Sequence, residues 1–169
     1  DLLALVLDIR TNPGGSPEAA IETAGQFLVE GTVFGYVERR DGKRVELTID
    51  PNEDRLDLDD LLVAVLVNEE TSREAETLAA ALRDSGRATL FGTTTFGDAS
   101  AYEFVELSNG SAMYLPVSRR YTPSGELLER SGLTPDVEVI SVAETEGYGG
   151  ESQFNRAYEF LDGQLPPFR

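Results

Sequence analysis

The chain has 169 residues, 40% of them hydrophobic, enough for one buried core and one domain. It has no Cys and no His, which excludes a disulfide framework, thiol catalysis, Ser-His and Cys-His arrangements and the usual zinc ligands. Asp plus Glu number 31 against 14 Lys plus Arg, and a formal charge of -17 opposes binding to nucleic acid or to an anionic membrane surface.

Leu2 to Ile9 is a nearly continuous apolar run, as expected of a strand covered on both faces in a parallel sheet. Arg10 to Gly15 is a loop broken by Pro13 and two glycines. Ser16 reads as an N-cap with Pro17 at the first helical position, and the helix is expected to reach about Val29 and stop at Gly31. Thr32 to Arg40 and Arg44 to Ile49 flank Asp41-Gly42, a hairpin signal. The acidic stretch from Asp50 to Asp60 lacks the EF-hand spacing and its glycine, and reads as a solvated loop. Leu61 to Val67 is a second fully buried strand.

Thr71 to Glu74 has the capping-box form, predicting a helix from there to about Ser85, with Gly86 as its stop. Ala88 to Phe91 is a third short strand, and Gly92 to Ser100 a loop. Tyr102 to Leu107 and Ser111 to Val117 flank Asn109-Gly110, a second hairpin signal. Tyr121 to Gly125 is a turn, Leu133 to Val139 leads into a last strand, and Gln153 to Leu161 reads as a short helix. Strands alternate with helices, so the class is α/β with added hairpins.

No apolar run approaches the roughly 18 residues of a membrane-spanning helix. Beginning at Asp1 without an initiator Met, the chain is expected to be a fragment or processed piece of a longer product. Lys43 is the sole lysine against 13 arginines. The acidity supports solubility, and the scarcity of lysine also suits salt adaptation. Such a charge repels itself, and salt screens it over about 8 Å at ~0.15 M. The melting temperature is expected to rise between low and molar potassium chloride; a flat or falling curve would remove self-repulsion as a factor.

Two places suit chemistry. Asn12-Pro13-Gly14-Gly15 joins a strand to a helix, and its glycines let backbone N–H groups face an anion, as in an oxyanion hole. The other is the helix start from Glu70 to Glu76. A helix N-terminus favours negative charge, so Glu70, Glu74 and Glu76 suit it. Arg73 does not, and needs solvent or a partner there.

Several segments together resemble the carboxyl-terminal processing peptidases, or tail-specific proteases. Leu5 to Gly15 (LVLDIRTNPGG) is similar to their strand and oxyanion loop, and Leu66 to Glu69 to the strand end before their nucleophile. Ala80 to Ala88 is similar to the helix end after it. Gly92 and Thr95-Phe96-Gly97 resemble the loop before their catalytic lysine, and Tyr121 to Gly125 and Thr134 to Glu138 resemble two later signatures. The resemblance implies a crotonase-like (Clp protease/crotonase) core with a mixed β-sheet over residues 1–169, without the PDZ domain such proteins usually carry.

The family's catalytic residues do not carry over. Its Asn-Glu is followed by Gly-Ser-Ala-Ser-Ala-Ser-Glu, whose second serine is the nucleophile. Aligned on Asn68 and Glu76, that position is Arg73. The lysine after Phe-Gly falls at Asp98, and an assisting glutamine at Tyr102. Arg offers no nucleophilic oxygen, Asp98 is an anion where a neutral amine is needed, and Lys43 sits at a distant hairpin turn. The opposite charges at 73 and 98 predict an ion pair. Gly14, Gly15 and Glu74 remain the candidate oxyanion or ligand-binding residues.

The expected role is therefore a non-catalytic homologue, needing no cofactor or metal, that binds a peptide, a protein C-terminus or an apolar ligand in the old cleft. Two alternatives stay open: a serine endopeptidase with a displaced nucleophile at Ser72 or Ser100, and a scaffold subunit that self-associates or exposes this surface to a partner. The resemblance implies export, to a periplasmic or extracellular location.

Overall fold

The computed structural model describes residues 2–52, 54–56, 58–98, 100–140 and 149–165. Its elements run β1 (Ala4–Asp8), α1 (Pro17–Ala24), β2 (Val33–Arg39), β3 (Arg44–Thr48), β4 (Leu62–Val67), α2 (Glu74–Asp84), β5 (Thr89–Gly92), β6 (Ser100–Glu106), β7 (Ala112–Tyr121), β8 (Val137–Glu138) and α3 (Gly149–Asp162). They form two four-stranded sheets. One is parallel, in the order β1-β4-β5-β8; the other is antiparallel, in the order β3-β2-β7-β6.

Of the two apolar runs read as doubly covered strands, β4 is one, whereas β1 lies at the end of its sheet with half-buried residues, and Leu2 and Leu3 before it are exposed. In β4, Val63, Val65 and Val67 join a core with Leu78 and Leu82 of α2 and Ala20 and Ala24 of α1. The alternate residues Ala64 and Leu66 join Phe91 of β5 and Ala157 and Leu161 of α3 on the opposite face. Strand period two thus feeds two helix layers, and polar residues are excluded from both sides. The parallel strands all end at one edge, where the loops carrying positions 10–15, 68–73 and 93–98 gather.

Several boundaries differ from those read in the sequence. Helix α1 ends at Ala24 instead of about Val29, with Gly25 as its C-cap. Phe27 and Leu28 still reach the core, by a turn in which both N–H groups donate to the Ala24 carbonyl. Helix α2 starts at Glu74, and Thr71 is not its N-cap. Thr71 instead accepts from the Asn68 N–H and donates to the Ile9 carbonyl. The last strand is only Val137–Glu138, and α3 begins four residues before Gln153. Ser16 caps α1 as expected, accepting from the Ala19 N–H at 3.1 Å.

The signature segments lock the strands. Gly92 has φ +135°, and a Cβ there would lie 1.8 Å from the Val67 carbonyl oxygen, so glycine is required where β5 closes on β4. Asp136 accepts from the Leu90 N–H at 2.8 Å, pinning the Thr134 to Glu138 segment to β5. In the Tyr121 to Gly125 turn, the Ser124 N–H donates to Asp84 at the end of α2.

Candidate active site

The loop after β1 and the loop after β4 are stitched together before either presents a side chain. Asn68 accepts from the Thr11 N–H at 2.9 Å, and the Ser72 N–H donates to the Asn12 carbonyl at 3.0 Å. Asn12 also accepts from the Gly14 N–H at 2.9 Å. This brace fixes the glycine turn against the residues that open α2.

Arg73 occupies the sharp corner between β4 and α2, with φ +55° and ψ -119°. A non-glycine residue in that region carries about 1–3 kcal/mol of strain, and such strain clusters at functional corners. Glu76 holds it. Its carboxylate accepts from the Arg73 N–H at 2.9 Å, the Gly97 N–H at 2.7 Å, the Asp98 N–H at 3.1 Å, and the Thr95 hydroxyl. The helix therefore has half a capping box, two residues downstream of the expected one, because a guanidinium has no lone pair to complete it. Glu76 is fully buried, and burial pushes its carboxyl above the usual glutamate range while the four donors pull the other way.

Glu76 thereby brings the two substituted positions together. Arg73 Nε donates to Asp98 Oδ2 at 3.1 Å, the ion pair expected from the sequence. Tyr102 donates its hydroxyl to Asp98 Oδ1 at 3.3 Å, and the Arg73 guanidinium lies 5.9 Å from the Tyr102 ring centroid. Burial, and then the charge of Asp98, pushes the Tyr102 phenol up, so it stays a donor. The hydrogen bond that Arg73 donates to Asp98 raises the arginine's pKa further. Arg73, Asp98 and Tyr102 thus form one network.

The Arg73 side chain is 45% exposed, which sets the energetics. A double-mutant cycle on Arg73→Ala and Asp98→Ala is expected to give a coupling of only about 0–1 kcal/mol in urea melts. A coupling above about 2 kcal/mol would show that the pair is drier than its exposure indicates.

Glu74 does not face solvent as a helix-start carboxylate would. Its Oε2 accepts from the Gly15 N–H at 3.2 Å, and its Oε1 pairs with Arg120 Nη1 of β7 at 2.5 Å. Both side chains are buried, and removing one partner of such a pair costs about 3–5 kcal/mol. Gly14 has φ +94°, and a Cβ there would lie 2.6 Å from Glu74 Oε2 and 2.8 Å from Arg73 Cβ. The glycine turn can hold an anion, and the anion it holds is Glu74.

The other candidates take different roles, and of them Ser100 also shares a hydrogen bond with Tyr102 of this network. Ser72 is buried; its N–H serves Asn12 and its carbonyl accepts from Ala75. Ser100 is a buried residue at the start of β6 opposite Arg119. Lys43 is exposed on the β2–β3 turn, 3.7 Å from Asp41. Among the described residues no group of His, Cys, Asp or Glu is arranged to hold a metal ion. One residue of the site, Arg120, went unread in the sequence, and the bracing role of another, Glu76, was missed. Arg120 left no signal beyond Arg119-Arg120 within a strand, where alternation sends one of the two inward. Glu76 was legible as a glutamate three residues after Arg73, but the Thr71 to Glu74 pattern competed with it.

The sequence model of peptidase family S41 matches residues 1–139. The chain belongs to peptidase family S41. A chloroplastic carboxyl-terminal-processing peptidase 3 of Arabidopsis thaliana is 36% identical over 141 residues, 83% of this chain and 27% of the relative. A carboxyl-terminal-processing protease of Synechocystis sp. is 35% identical over 162 residues, 94% of this chain and 36% of the relative. The chain thus spans about a third of the length of these curated relatives. The solved photosystem II D1 C-terminal processing protease superposes with a TM-score of 0.71 at 33% identity, covering 89% of this chain and 39% of that one. The tricorn protease, at 18% identity and TM-score 0.59, shares the fold alone. The S41 domain is therefore α/β, of the Clp/crotonase-like type. No helix of the described residues is long and apolar enough to cross a membrane.

Proposed function

We propose that this S41 domain is catalytically silent and binds a peptide or protein C-terminus in the former active-site cleft. The observation that carries the reading is the Arg73–Asp98–Tyr102 network, which stands where the family's serine, lysine and glutamine are expected. Arg73 cannot attack a carbonyl, and Asp98 cannot serve as a neutral amine base. What supports a binding role is the braced glycine turn, now occupied by Glu74, and the strained corner beside the aromatics of β6–β7. Tyr102 stacks on Tyr114 with ring centroids 5.0 Å apart, and Phe104 and Tyr114 are exposed. Exposed aromatics beside the charged Arg73–Asp98 pair suit a peptide or another apolar ligand. By family analogy the domain works after export, in a periplasmic or extracellular space.

The exposed face of the β6–β7 hairpin, with Phe104, Met113, Tyr114 and Leu115, favours a second reading as a subunit that docks on a partner. The displaced-nucleophile alternative has less support, because Ser72 and Ser100 are buried, the chain has no histidine, and its one lysine is exposed on the β2–β3 turn. The test is incubation of the purified chain with an unfolded protein and a fluorophosphonate probe across about pH 4–9. No cleavage and no labelling are expected. Stoichiometric labelling of Ser72 or Ser100, lost on substituting that serine, would overturn the proposal.

A further inference from the structure

The β2–β3 turn is basic in a chain whose formal charge is -17. Arg39-Arg40-Asp41-Gly42-Lys43-Arg44 carries four basic side chains against one acidic one, and it includes the sole lysine. Lys43 is answered by Asp41 and Arg44 by Glu38. Arg39 and Arg40 are exposed, and among the described residues neither has an ion pair. With 31 acidic residues in the chain, two adjacent arginines are left without one.

These two arginines wall a groove of about 740 Å³ that crosses β7. Arg39 pairs with Ser118, and the β2–β7 ladder stops there because the chain turns at Asp41-Gly42. Beyond that point Val117, Pro116 and Leu115 form the floor, and Val117 and Leu115 are each 37% exposed. Ser100 and Glu103 of β6 form the far wall, Glu103 opposite Leu115. The other charges of the lining are met within the chain: Glu38 accepts from Arg44 at 2.9 Å, and Glu129 pairs with Arg119 at 3.0 Å. Arg73, Asp98 and Tyr102 do not line this groove, so nothing here rests on the reading of the former active site.

An occupant must bring negative charge to Arg39 and Arg40 and apolar surface to the floor. Pro116 has no N–H, so the floor is a poor edge for an added strand and side chains must carry the recognition. A nucleic acid or an anionic bilayer would lay its further charges against an acidic chain. A segment with two carboxylates engages only the local field, because screening confines it to about 8 Å at ~0.15 M salt. A small inorganic anion would leave the floor uncovered. Glu103 repels a carboxylate at the far wall, which sets the acidic end of the occupant at the turn. We propose that this groove docks a segment of a partner protein that carries two adjacent carboxylates followed by apolar side chains.

The test is fluorescence anisotropy with the hexapeptide Glu-Glu-Leu-Val-Ser-Gly, labelled at its N-terminus and amidated at its C-terminus, against the same peptide beginning Gln-Gln. The wild-type chain should prefer the acidic peptide by about fivefold or more. Arg39→Gln combined with Arg40→Gln should abolish that preference. Arg156→Gln, which removes an exposed charge on α3, should leave it intact. Glu103→Gln should tighten the acidic peptide; weakening would mean that the groove selects a cation and would overturn the proposal. On titration of 15N-labelled wild type, the Gly42 and Val117 amide resonances should move and that of Gly15 should not. Movement of Gly15 with Gly42 still would put the peptide in the former active-site cleft and overturn the groove. Two other occupants have their own outcomes. A wild-type dimer that the double arginine variant dissociates would assign the groove to a second copy. An oligothymidylate that binds more tightly than the peptide through the same arginines would assign it to a polyanion. Either result, or equal binding of both peptides, overturns the proposal.

Discussion

Arg73→Ser alone will not produce measurable peptide hydrolysis. A serine nucleophile and its base act as a unit, and loss of either typically lowers the rate by about 10⁶. In the single variant Asp98 would still present a carboxylate where an amine base is needed, with the Tyr102 hydroxyl bound to it. Glu74 would still hold the Gly15 N–H, so a developing oxyanion would meet a negative charge in its own seat. The family run has alanine at that position, and the glutamate is a further change beside the three catalytic ones. Recovery should require Arg73→Ser, Asp98→Lys, Tyr102→Gln and Glu74→Ala together. The measurement is fluorophosphonate labelling of position 73, read by mass spectrometry, with circular dichroism as the folding control. Labelling of the single variant at the rate of an active serine peptidase would show that Asp98 and Glu74 do not block the site and that Arg73 alone silences it.

The parallel sheet was legible because a strand covered on both faces must be apolar at every position. Leu61 to Val67 meets that condition and divides its side chains between two cores. Both hairpins followed from Asp41-Gly42 and Asn109-Gly110, whose Gly42 and Gly110 have φ +76° and +82°. The start of α2 was misread because capping is a local pattern, and Thr71 to Glu74 satisfies it on paper. Long-range bonds override it. Thr71 is committed to Ile9, 62 residues away, and Glu74 to Arg120 on a strand of the other sheet. The Arg73–Asp98 pair was legible because the family spacing fixed both positions and their charges are opposite. Arg120 was not, since a strand arginine gives no sign of a buried partner until the sheets are assembled.

Glu76→Ala should be the most destabilising single change in the site. It removes the acceptor of four hydrogen bonds at once. Each buried donor left unpaired costs about 1–3 kcal/mol, so the loss is expected above about 4 kcal/mol, in the range reserved for broken buried networks. The strained conformation of Arg73 would also lose its anchor, and the site would lose the link between the α2 corner and the loop carrying Asp98. Glu76→Gln keeps the shape but puts an amide NH₂ where donors converge. One backbone N–H at least then has no acceptor, and a loss of about 2 kcal/mol is expected. Urea melts should show a lower midpoint with an unchanged slope. The pH dependence separates charge from shape. The folded pKa of Glu76 is raised, so between its ordinary value and the folded value the native state binds more protons than the unfolded chain. Its contribution is therefore fully present below the ordinary glutamate pKa and is lost as pH rises through the folded pKa. The stability gap between wild type and Glu76→Gln should be widest in acid and should narrow as pH rises above the ordinary glutamate range. A gap that widens over that interval would mean that the four donors outweigh burial and that Glu76 is held as an anion.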